Sequence, residues 1–161
     1  MISVEQIQQL PLTYSLTIPN DYIDDMGHMN VQYYMHCFDK STWKMFGMLG
    51  LTLEYLETNN AGMFALKQFV CYLAEVRVGE TVELYTRLLG ASAKRLHFLH
   101  FIVNQTTGVL SSTAENVGSH VDMQARRTAP FPPKVAAAVL ALADEHAALD
   151  WQATTCGILY P

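Results

Sequence analysis

Residues 22–30 have the sequence YIDDMGHMN and stand directly before a long amphipathic segment, so they decide where the main helix of the fold begins. Asn30 is suited to cap a helix, because its side chain can accept a hydrogen bond from a backbone N–H one turn into the helix. From Val31 to Leu49 the apolar residues recur every three or four positions, and Gly50 stands where such a helix ends. The stretch therefore predicts a turn, a cap and a helix of about five turns.

The rest of the chain has the pattern of an antiparallel sheet followed by a second helix. Strands are predicted at 12–18, 63–73, 81–89, 95–103 and 109–123. Because short turns join the later strands, we expect an antiparallel meander. Pro133 suits the first turn of a helix that includes residues 136–148. We therefore predict an α+β fold in which residues 1–161 form a single domain, with the long helix laid on one face of the sheet.

Composition excludes several classes of protein. The chain has 161 residues, of which half are apolar and 16% are charged, and its net charge is −5. A nucleic-acid surface would need a basic stripe, which this acidic chain lacks. The sequence contains neither a signal-peptide pattern nor an apolar run of ~18 residues, so we expect a cytoplasmic protein without a membrane partner.

The cysteines and histidines do not have the spacing of a metal site. Cys37, Cys71 and Cys156 are far apart, which favours reduced and buried thiols. His97 and His100 are three residues apart on a predicted strand, which turns their side chains to opposite faces. We therefore predict neither a metal site nor a disulfide.

The stretch 22–30 also has the residue types of an acyl-transfer site. The N-terminal end of a helix presents unpaired N–H groups and a partial positive charge, which can polarise a carbonyl oxygen. A carboxylate beside that end can then act on the polarised carbon. Because ordinary turns and caps use the same residues, this interpretation depends on a further observation.

The further observation is a resemblance to a known family. Residues 24–30, with the pattern Asp-x-x-Gly-His-x-Asn, and the aromatic Tyr33, Tyr34 and Phe38 resemble the hot-dog-fold acyl-CoA thioesterases of the 4-hydroxybenzoyl-CoA thioesterase type. The segment 115–132 is similar to the last strand of that family and its exit with Arg and Pro. The Gly-His-Met-Asn form resembles in particular the betainyl-CoA thioesterases of carnitine breakdown.

The resemblance implies a fold and a reaction. The fold is an antiparallel sheet wrapped around a long central helix, here with a C-terminal helix in addition. The reaction is hydrolysis of a small or medium acyl-CoA thioester to the free acid and CoA, with no cofactor besides the coenzyme A of the substrate. Because the site of this family lies between subunits, the resemblance also implies a homodimer or homotetramer.

The resemblance assigns roles to the residues of the motif. Asp24 takes the place of the catalytic carboxylate, and the backbone N–H of Val31 donates to the thioester oxygen. Asp24 then acts either as a general base on water or as a nucleophile that forms a mixed anhydride. His28 and Asn30 complete the predicted catalytic set by shaping the loop and capping the helix, whereas Asp25 is expected to be a solvated turn residue.

Candidate substrate-binding residues follow from residue type. Arg126 and Arg127 come after a predicted strand, and guanidinium groups suit the phosphates of CoA; Lys94 and Arg95 are alternatives.

Aromatic residues of the long helix are candidates for contact with the acyl group. They supply rings for an acyl pocket or for a cage around a trimethylammonium group. These residues are Tyr33, Tyr34, Phe38 and Trp43.

A supporting role for polar residues of the last long strand stays open as well. Glu115 is the candidate for an acid that acts behind the catalytic residues, whereas His120 and Asp122 have the character of ordinary polar strand positions.

Two other functions share the implied fold. A hot-dog dehydratase or hydratase moves a proton alpha to the carbonyl with His and Asp or Glu, and a non-catalytic protein only binds acyl-CoA. The acid before Gly27 favours the thioesterase pattern, and no basic extension supports the binding protein.

Overall fold

The computed structural model describes residues 2–161 and contains four α-helices and six strands in that part of the chain. The helices are α1 (Val4–Ile7), α2 (Val31–Met48), α3 (Leu53–Thr58) and α4 (Pro133–Ala147). The strands are β1 (Leu12–Thr17), β2 (Ala61–Tyr72), β3 (Thr81–Ala91), β4 (Arg95–Asn104), β5 (Val109–Asp122) and β6 (Arg127–Thr128). The predicted α+β class is confirmed, and so are both long helices.

Helix α2 begins and ends where the sequence predicts. After the helix, Gly50 has a φ of +82°, a left-handed conformation that glycine adopts without a steric penalty. This turn lets the N–H of Leu51 donate to the carbonyl of Phe46 (2.9 Å) and the N–H of Gly50 to the carbonyl of Gly47 (3.1 Å). Carbonyl groups of the last turn thus find donors, and the chain leaves in a new direction.

The sheet is antiparallel where its register is defined, but it is not a simple meander. Its strand order is β1-β3-β4-β5-β2, with β6 paired to β5. Strands β3, β4 and β5 do follow one another as predicted, whereas β2 lies beside β5 instead of beside β3. The expected meander is therefore wrong for β2, because short turns define only the neighbours that they join.

Strand β4 lies in the centre of the sheet. It is third of the five strands on the main path, and every residue from Leu96 to Asn104 is buried. Strand β1 occupies one edge and pairs with β3, Leu16 lying opposite Val82. Strand β2 occupies the other edge, and its residues 65–69 are exposed.

Contacts divide the chain into two compact units, each with its own core. The first unit comprises the chain up to Lys44 with residues 70–87 and 100–114. Its core is apolar and includes one face of the first half of α2. The buried members are Ile18, Met29, Tyr34, Cys37, Phe38, Val76, Val82, Leu84, Ile102 and Ala114. The prediction of a single domain is not tested by this division.

His100 lies fully buried among hydroxyl groups of the first unit. Its Nδ1 is 2.7 Å from the hydroxyl of Thr86, and its Nε2 is 2.8 Å from the hydroxyl of Thr42. The Thr42 hydroxyl donates to the carbonyl of Phe38 (2.9 Å), so the imidazole donates to Thr42 from Nε2. Burial lowers the pKa of His100 to about 3, which keeps the ring neutral.

The second unit comprises residues 45–69, 88–99 and 115–161. Its core contains the second half of α2 and one face of α4. The buried members are Met45, Phe46, Leu49, Leu51, Leu88, Leu96, Phe98, Phe131, Val135 and Val139. The tail after α4 has no regular structure, yet Trp151 and Leu159 are buried. No helix in residues 2–161 has the length and apolar character needed to cross a bilayer.

Candidate active site

The loop before α2 is a tight turn stabilised by its own backbone. The N–H of Asp24 donates to the carbonyl of His28 (3.0 Å), and the N–H of Gly27 donates to the carbonyl of Asp24 (3.0 Å). Gly27 has a φ of +85°, as the turn requires. Within the turn, Oδ1 of Asp24 accepts a hydrogen bond from the N–H of Met26 (2.9 Å), which fixes the orientation of the carboxylate.

Asn30 caps α2 as predicted. Its side-chain oxygen accepts from the N–H of Gln32 (3.0 Å), and its carbonyl accepts from the N–H of Tyr33 (3.0 Å). Its own N–H donates to the carbonyl of Tyr22 (2.9 Å), which ties the helix start to the preceding segment. The N–H of Val31 lies between these satisfied groups and has no acceptor within residues 2–161. An unpaired N–H at the first helical position is the donor that a carbonyl oxygen requires.

A pocket of about 320 Å³ lies at this end of α2. One wall comes from the loop and the helix, and the other comes from the end of β2 and the residues after it. The lining residues are His28, Met29, Val31, Tyr34, Tyr72, Leu73, Ala74 and Glu75. The volume is at the lower end of the range for ligand pockets, roughly 300–1,000 Å³, and suits a small acyl group.

Asp24 lies next to this pocket without lining it. Its Oδ1 is 3.8 Å from Nδ1 of His28, which does line the pocket. The side chains of His28 and Asp24 are 33% and 24% exposed, so neither is sealed from solvent. The structure thus brings His28 and Val31 to the pocket wall and places Asp24 one contact away. Asp25 is exposed, in keeping with the expected solvated turn residue.

Two tyrosines form the aromatic part of the pocket. The rings of Tyr34 and Tyr72 have centroids 5.1 Å apart and planes at 83°, an edge-to-face arrangement. Tyr34 is buried, whereas Tyr72 is half exposed. Burial, with smaller contributions from Tyr72 and nearby acids, raises the pKa of Tyr34 to about 12, so its phenol stays neutral. Glu75 forms an exposed ion pair with Arg77 (3.3 Å).

The other aromatic candidates of the helix lie elsewhere. Tyr33 stacks on Tyr22, with centroids 3.7 Å apart. Phe38 is buried and stacks on the ring of His100 (5.9 Å), whereas Trp43 is 40% exposed. None of the three lines the described pocket, so a cage built from the helix alone is not what the structure presents.

The arginine candidates belong to the second unit. Arg126 and Arg127 are both exposed, and the guanidinium of Arg126 lies 5.7 Å from the ring centre of Phe64. Of the alternatives, the backbone carbonyl of Lys94 accepts from the N–H of His120 (2.9 Å), and Nε of Arg95 is buried with no partner among residues 2–161. Contact of these residues with CoA stays a prediction.

Glu115 has a structural environment that the sequence did not reveal. Nε2 of His97 is 2.8 Å from its Oε1, and the N–H of Cys156 donates to its Oε2 (2.6 Å). Burial alone would raise the pKa of Glu115, but the hydrogen bonds from Cys156 and His97 outweigh it and lower the pKa below its usual value. This acid therefore ties the C-terminal tail to the strands of the second unit.

His120 and Asp122 also make local contacts. His120 is 3.0 Å from the carbonyl of Ala129 through Nδ1 and 3.0 Å from the hydroxyl of Tyr55 through Nε2. Asp122 accepts from two N–H groups of the turn that follows it. Both have the role of ordinary polar positions.

Sequence reasoning missed the pocket residues Tyr72 and Glu75. They lie more than forty positions from the motif at 24–30, and the contact between these segments forms only in the folded chain. Their own signal was weak, because a strand that ends in an aromatic residue has many ordinary uses.

Comparison with known proteins assigns the family. Residues 18–139 match the family model of the thioesterase-like superfamily. A betainyl-CoA thioesterase of Pseudomonas aeruginosa is 32% identical over 143 residues, which cover 89% of this chain and 90% of that protein. The chain belongs to the thioesterase-like superfamily. The predicted family is confirmed, and at this level so is the predicted class of enzyme, a thioester hydrolase.

Other similar proteins agree with this superfamily. An L-carnitine dehydrogenase/betainyl-CoA thioesterase of Rhizobium meliloti is 28% identical over 129 residues, which cover 80% of this chain but 26% of that longer protein. A hypothetical protein of Staphylococcus aureus, solved in complex with CoA, has a TM-score of 0.82 at 22% identity, with 89% of this chain and 90% of that chain covered. At such identity the structural likeness establishes the fold alone, and the predicted hot-dog fold is confirmed.

Proposed function

We propose that this protein hydrolyses an acyl-CoA thioester with a small acyl group, and that betainyl-CoA is its leading candidate substrate. The observation that carries the proposal is the small pocket at the start of α2, which is lined by Val31, a residue whose N–H has no acceptor within residues 2–161. Membership of the thioesterase-like superfamily and the betainyl-CoA thioesterase at 32% identity support it.

In the proposed mechanism the thioester oxygen accepts a hydrogen bond from the Val31 N–H. Attack on the carbonyl carbon places negative charge on that oxygen, and a fixed backbone donor stabilises it without reorganisation. In other enzymes, removing one such donor raises the activation barrier by about 3 kcal/mol. The Asn30 cap holds the first turn in place, so the donor direction is set before substrate binds.

Asp24 supplies the carboxylate in this mechanism. As a general base it takes a proton from water while the water oxygen attacks the carbonyl carbon. The C–S bond then breaks, and the leaving thiolate takes the proton back from Asp24 to give the CoA thiol and the free acid. As a nucleophile its oxygen attacks the carbonyl carbon directly, and CoA leaves as the thiolate, which takes a proton from solvent. Water then cleaves the mixed anhydride to the free acid and restores the Asp24 carboxylate. Single turnover in oxygen-18 water separates the routes, because label in the Asp24 carboxylate excludes simple base catalysis.

A second copy of the chain is part of the proposal. Strand β2 has 12 residues, lies at the edge of the sheet and exposes Leu66 and Phe69, each 44% accessible. A long edge with apolar side chains is prone to pair with another strand. We propose that it forms the interface of a homodimer, with a homotetramer as the larger alternative.

Arg126 and Arg127 are proposed to contact the phosphates of CoA. Both are exposed, as a group that meets a solvated phosphate must be. Replacing both by alanine is expected to raise KM for the thioester with a smaller change in kcat. The matched control is the double alanine variant of Lys40 and Lys44, two exposed cations of α2. An unchanged KM in the arginine variant removes both residues from the site.

Release of free thiol from a panel of CoA thioesters tests the proposed function. The panel includes betainyl, benzoyl, short-chain and long-chain thioesters, read with a thiol-reactive dye. We expect Asp24→Asn to lower kcat by at least about a hundredfold, in the range for loss of a catalytic group. Asp25→Asn is the control, because it makes the same chemical change at the neighbouring exposed carboxylate.

Thermal unfolding and light scattering must show that the Asp24 variant keeps its fold and assembly. A dehydratase or a binding protein releases no thiol from any thioester. Equal rates for wild type and Asp24→Asn would remove Asp24 from the mechanism.

A further inference from the structure

We propose that Tyr34, Tyr72 and Glu75 form a subsite for a quaternary ammonium group at the end of the acyl chain. The inference rests on the proposed thioesterase function and deepens it by assigning substrate specificity to three residues. These residues line the same pocket as Val31. Cation recognition therefore takes place within the site that binds the thioester.

The aromatic residues of the pocket lining favour a bound cation. The Tyr34 and Tyr72 rings meet at 83° with centroids 5.1 Å apart. Tyr34 is 4% exposed and Tyr72 is 49% exposed, so Tyr72 presents most of the accessible ring surface, and Tyr34 lies behind it in the pocket lining. The ring faces carry partial negative charge and attract a cation that is too large and too weakly hydrated to need hydrogen bonds. A trimethylammonium group has this character, because its charge is spread over methyl groups that pack like hydrocarbon.

The charges of the pocket lining also favour a bound cation. Glu75 supplies a carboxylate, whereas the eight lining residues include neither Lys nor Arg. His28 is the one imidazole among these eight residues. The neighbouring Arg77 pairs with Glu75 at 3.3 Å, but both side chains are more than half exposed, so water and a substrate cation can compete for the carboxylate.

The position of Tyr34 relative to Val31 favours a short acyl group. The two residues are three positions apart on α2, so their Cβ atoms lie on the same side of the helix, about 5–6 Å apart. Both residues line the pocket of about 320 Å³, a volume that suits a small acyl group. We therefore expect the subsite to accept an ammonium group joined to the carbonyl by a short linker, such as a single methylene.

A pair of substrates that differ only in charge tests the subsite. Betainyl-CoA carries a trimethylammonium group where tert-butylacetyl-CoA carries a tert-butyl group, so shape and linker are the same. The quantity to measure is the ratio of kcat/KM for betainyl-CoA to that for tert-butylacetyl-CoA. We expect a ratio of about ten or more in the wild-type enzyme, as desolvated cation–π contacts and one carboxylate provide.

Substitutions then test which residues produce the preference for betainyl-CoA. Tyr72→Leu and Glu75→Gln are each expected to lower it by about fivefold or more, whereas Tyr72→Phe keeps the ring and retains the preference. Glu57→Gln, on the exposed surface of α3, is the matched control for loss of a carboxylate. Glu75 is exposed as well, so its variant is expected to fold even if Tyr72→Leu does not.

The outcomes separate this inference from the function on which it rests. If wild type releases thiol from neither substrate nor from the wider panel, the proposed function fails. If wild type hydrolyses both substrates at similar rates, or if Glu75→Gln and Tyr72→Leu leave the ratio unchanged, the function stands and the subsite is wrong.

Discussion

At the scale of single residues, Asn30 links the fold to the candidate site. Its side chain satisfies the N–H of Gln32, and its main chain satisfies Tyr33, which leaves the N–H of Val31 as the available donor. A capping asparagine stabilises a helix whether or not that end of the helix has a catalytic role. Here the same contacts also decide which N–H of the first turn is left without an acceptor.

Replacing Asn30 by alanine is expected to destabilise the protein by about 1 kcal/mol, because the Gln32 N–H loses its acceptor. For a chain of this size the melting temperature should fall by about 2–4 °C. Asn30→Ser keeps a capping oxygen and is expected to stay within a few tenths of a kcal/mol of wild type. Equal losses in the two variants, measured by urea unfolding, would contradict a capping role.

Glu115 gives the protein a pH-dependent part of its stability. The fold lowers the pKa of Glu115 below the value of 4.5 that it has in the unfolded chain. At pH values above 4.5 the ionised carboxylate therefore stabilises the folded state. This contribution is lost as the pH falls through the pKa of the folded state. Glu115→Gln should therefore cost about 2 kcal/mol at about pH 7 and much less at about pH 3. Urea unfolding at both pH values measures the difference. A cost that is the same at both would exclude ionisation as its source.

At the scale of elements, α2 shows how the ends of a helix are specified separately from its body. Residues 31–48 contribute apolar side chains to the cores of both compact units. The cap at Asn30 and the left-handed Gly50 limit the helix at either end. Burial of the apolar face supplies the stability, and the ends set the length.

Two glycines of this region are expected to respond to alanine with opposite signs. Gly50 has a φ of +82°, so Gly50→Ala should destabilise the protein by about 1 kcal/mol or more. Gly47 lies inside α2, and an added Cβ there meets no atom within 4 Å. Gly47→Ala should therefore stabilise by about 0.5–1 kcal/mol through a better helix propensity. Denaturant midpoints of the two variants on the same side of wild type would show that the backbone argument is wrong.

At the scale of the whole molecule, the exposed edge strand β2 predicts self-association. Light scattering should give at least twice the chain mass of 18.1 kDa. Lysines at both Leu66 and Phe69 are expected to shift the mass toward the monomer, because they place charge on the pairing edge.

Lysines at both Val78 and Val109 are the control for this assembly test. These residues are 52% and 40% exposed and lie outside β2. Wild type at the monomer mass over the whole concentration range would rule out the proposed interface. A mass that stays at the dimer value in the β2 variant would place the interface elsewhere.

Local sequence signals were enough to predict the long helices, the five longer strands and the motif. The start of α2, its capping residue, the strands and the C-terminal helix all depend on contacts between neighbours in the chain, namely caps, turns and periodic burial. The pattern at 24–30 gave the family for the same reason, because a short loop carries its own signature.

Which distant segments meet became visible only in the folded chain. In the structure β2 lies at the edge of the sheet beside β5. Tyr72 and Glu75 lie in the pocket at the start of α2. Glu115 contacts His97 and the N–H of Cys156. No local preference specifies these contacts, because each depends on the burial of many side chains at once. The pocket that distinguishes one acyl group from another is therefore a property of the folded chain, whereas the loop that identifies the family is a property of the sequence.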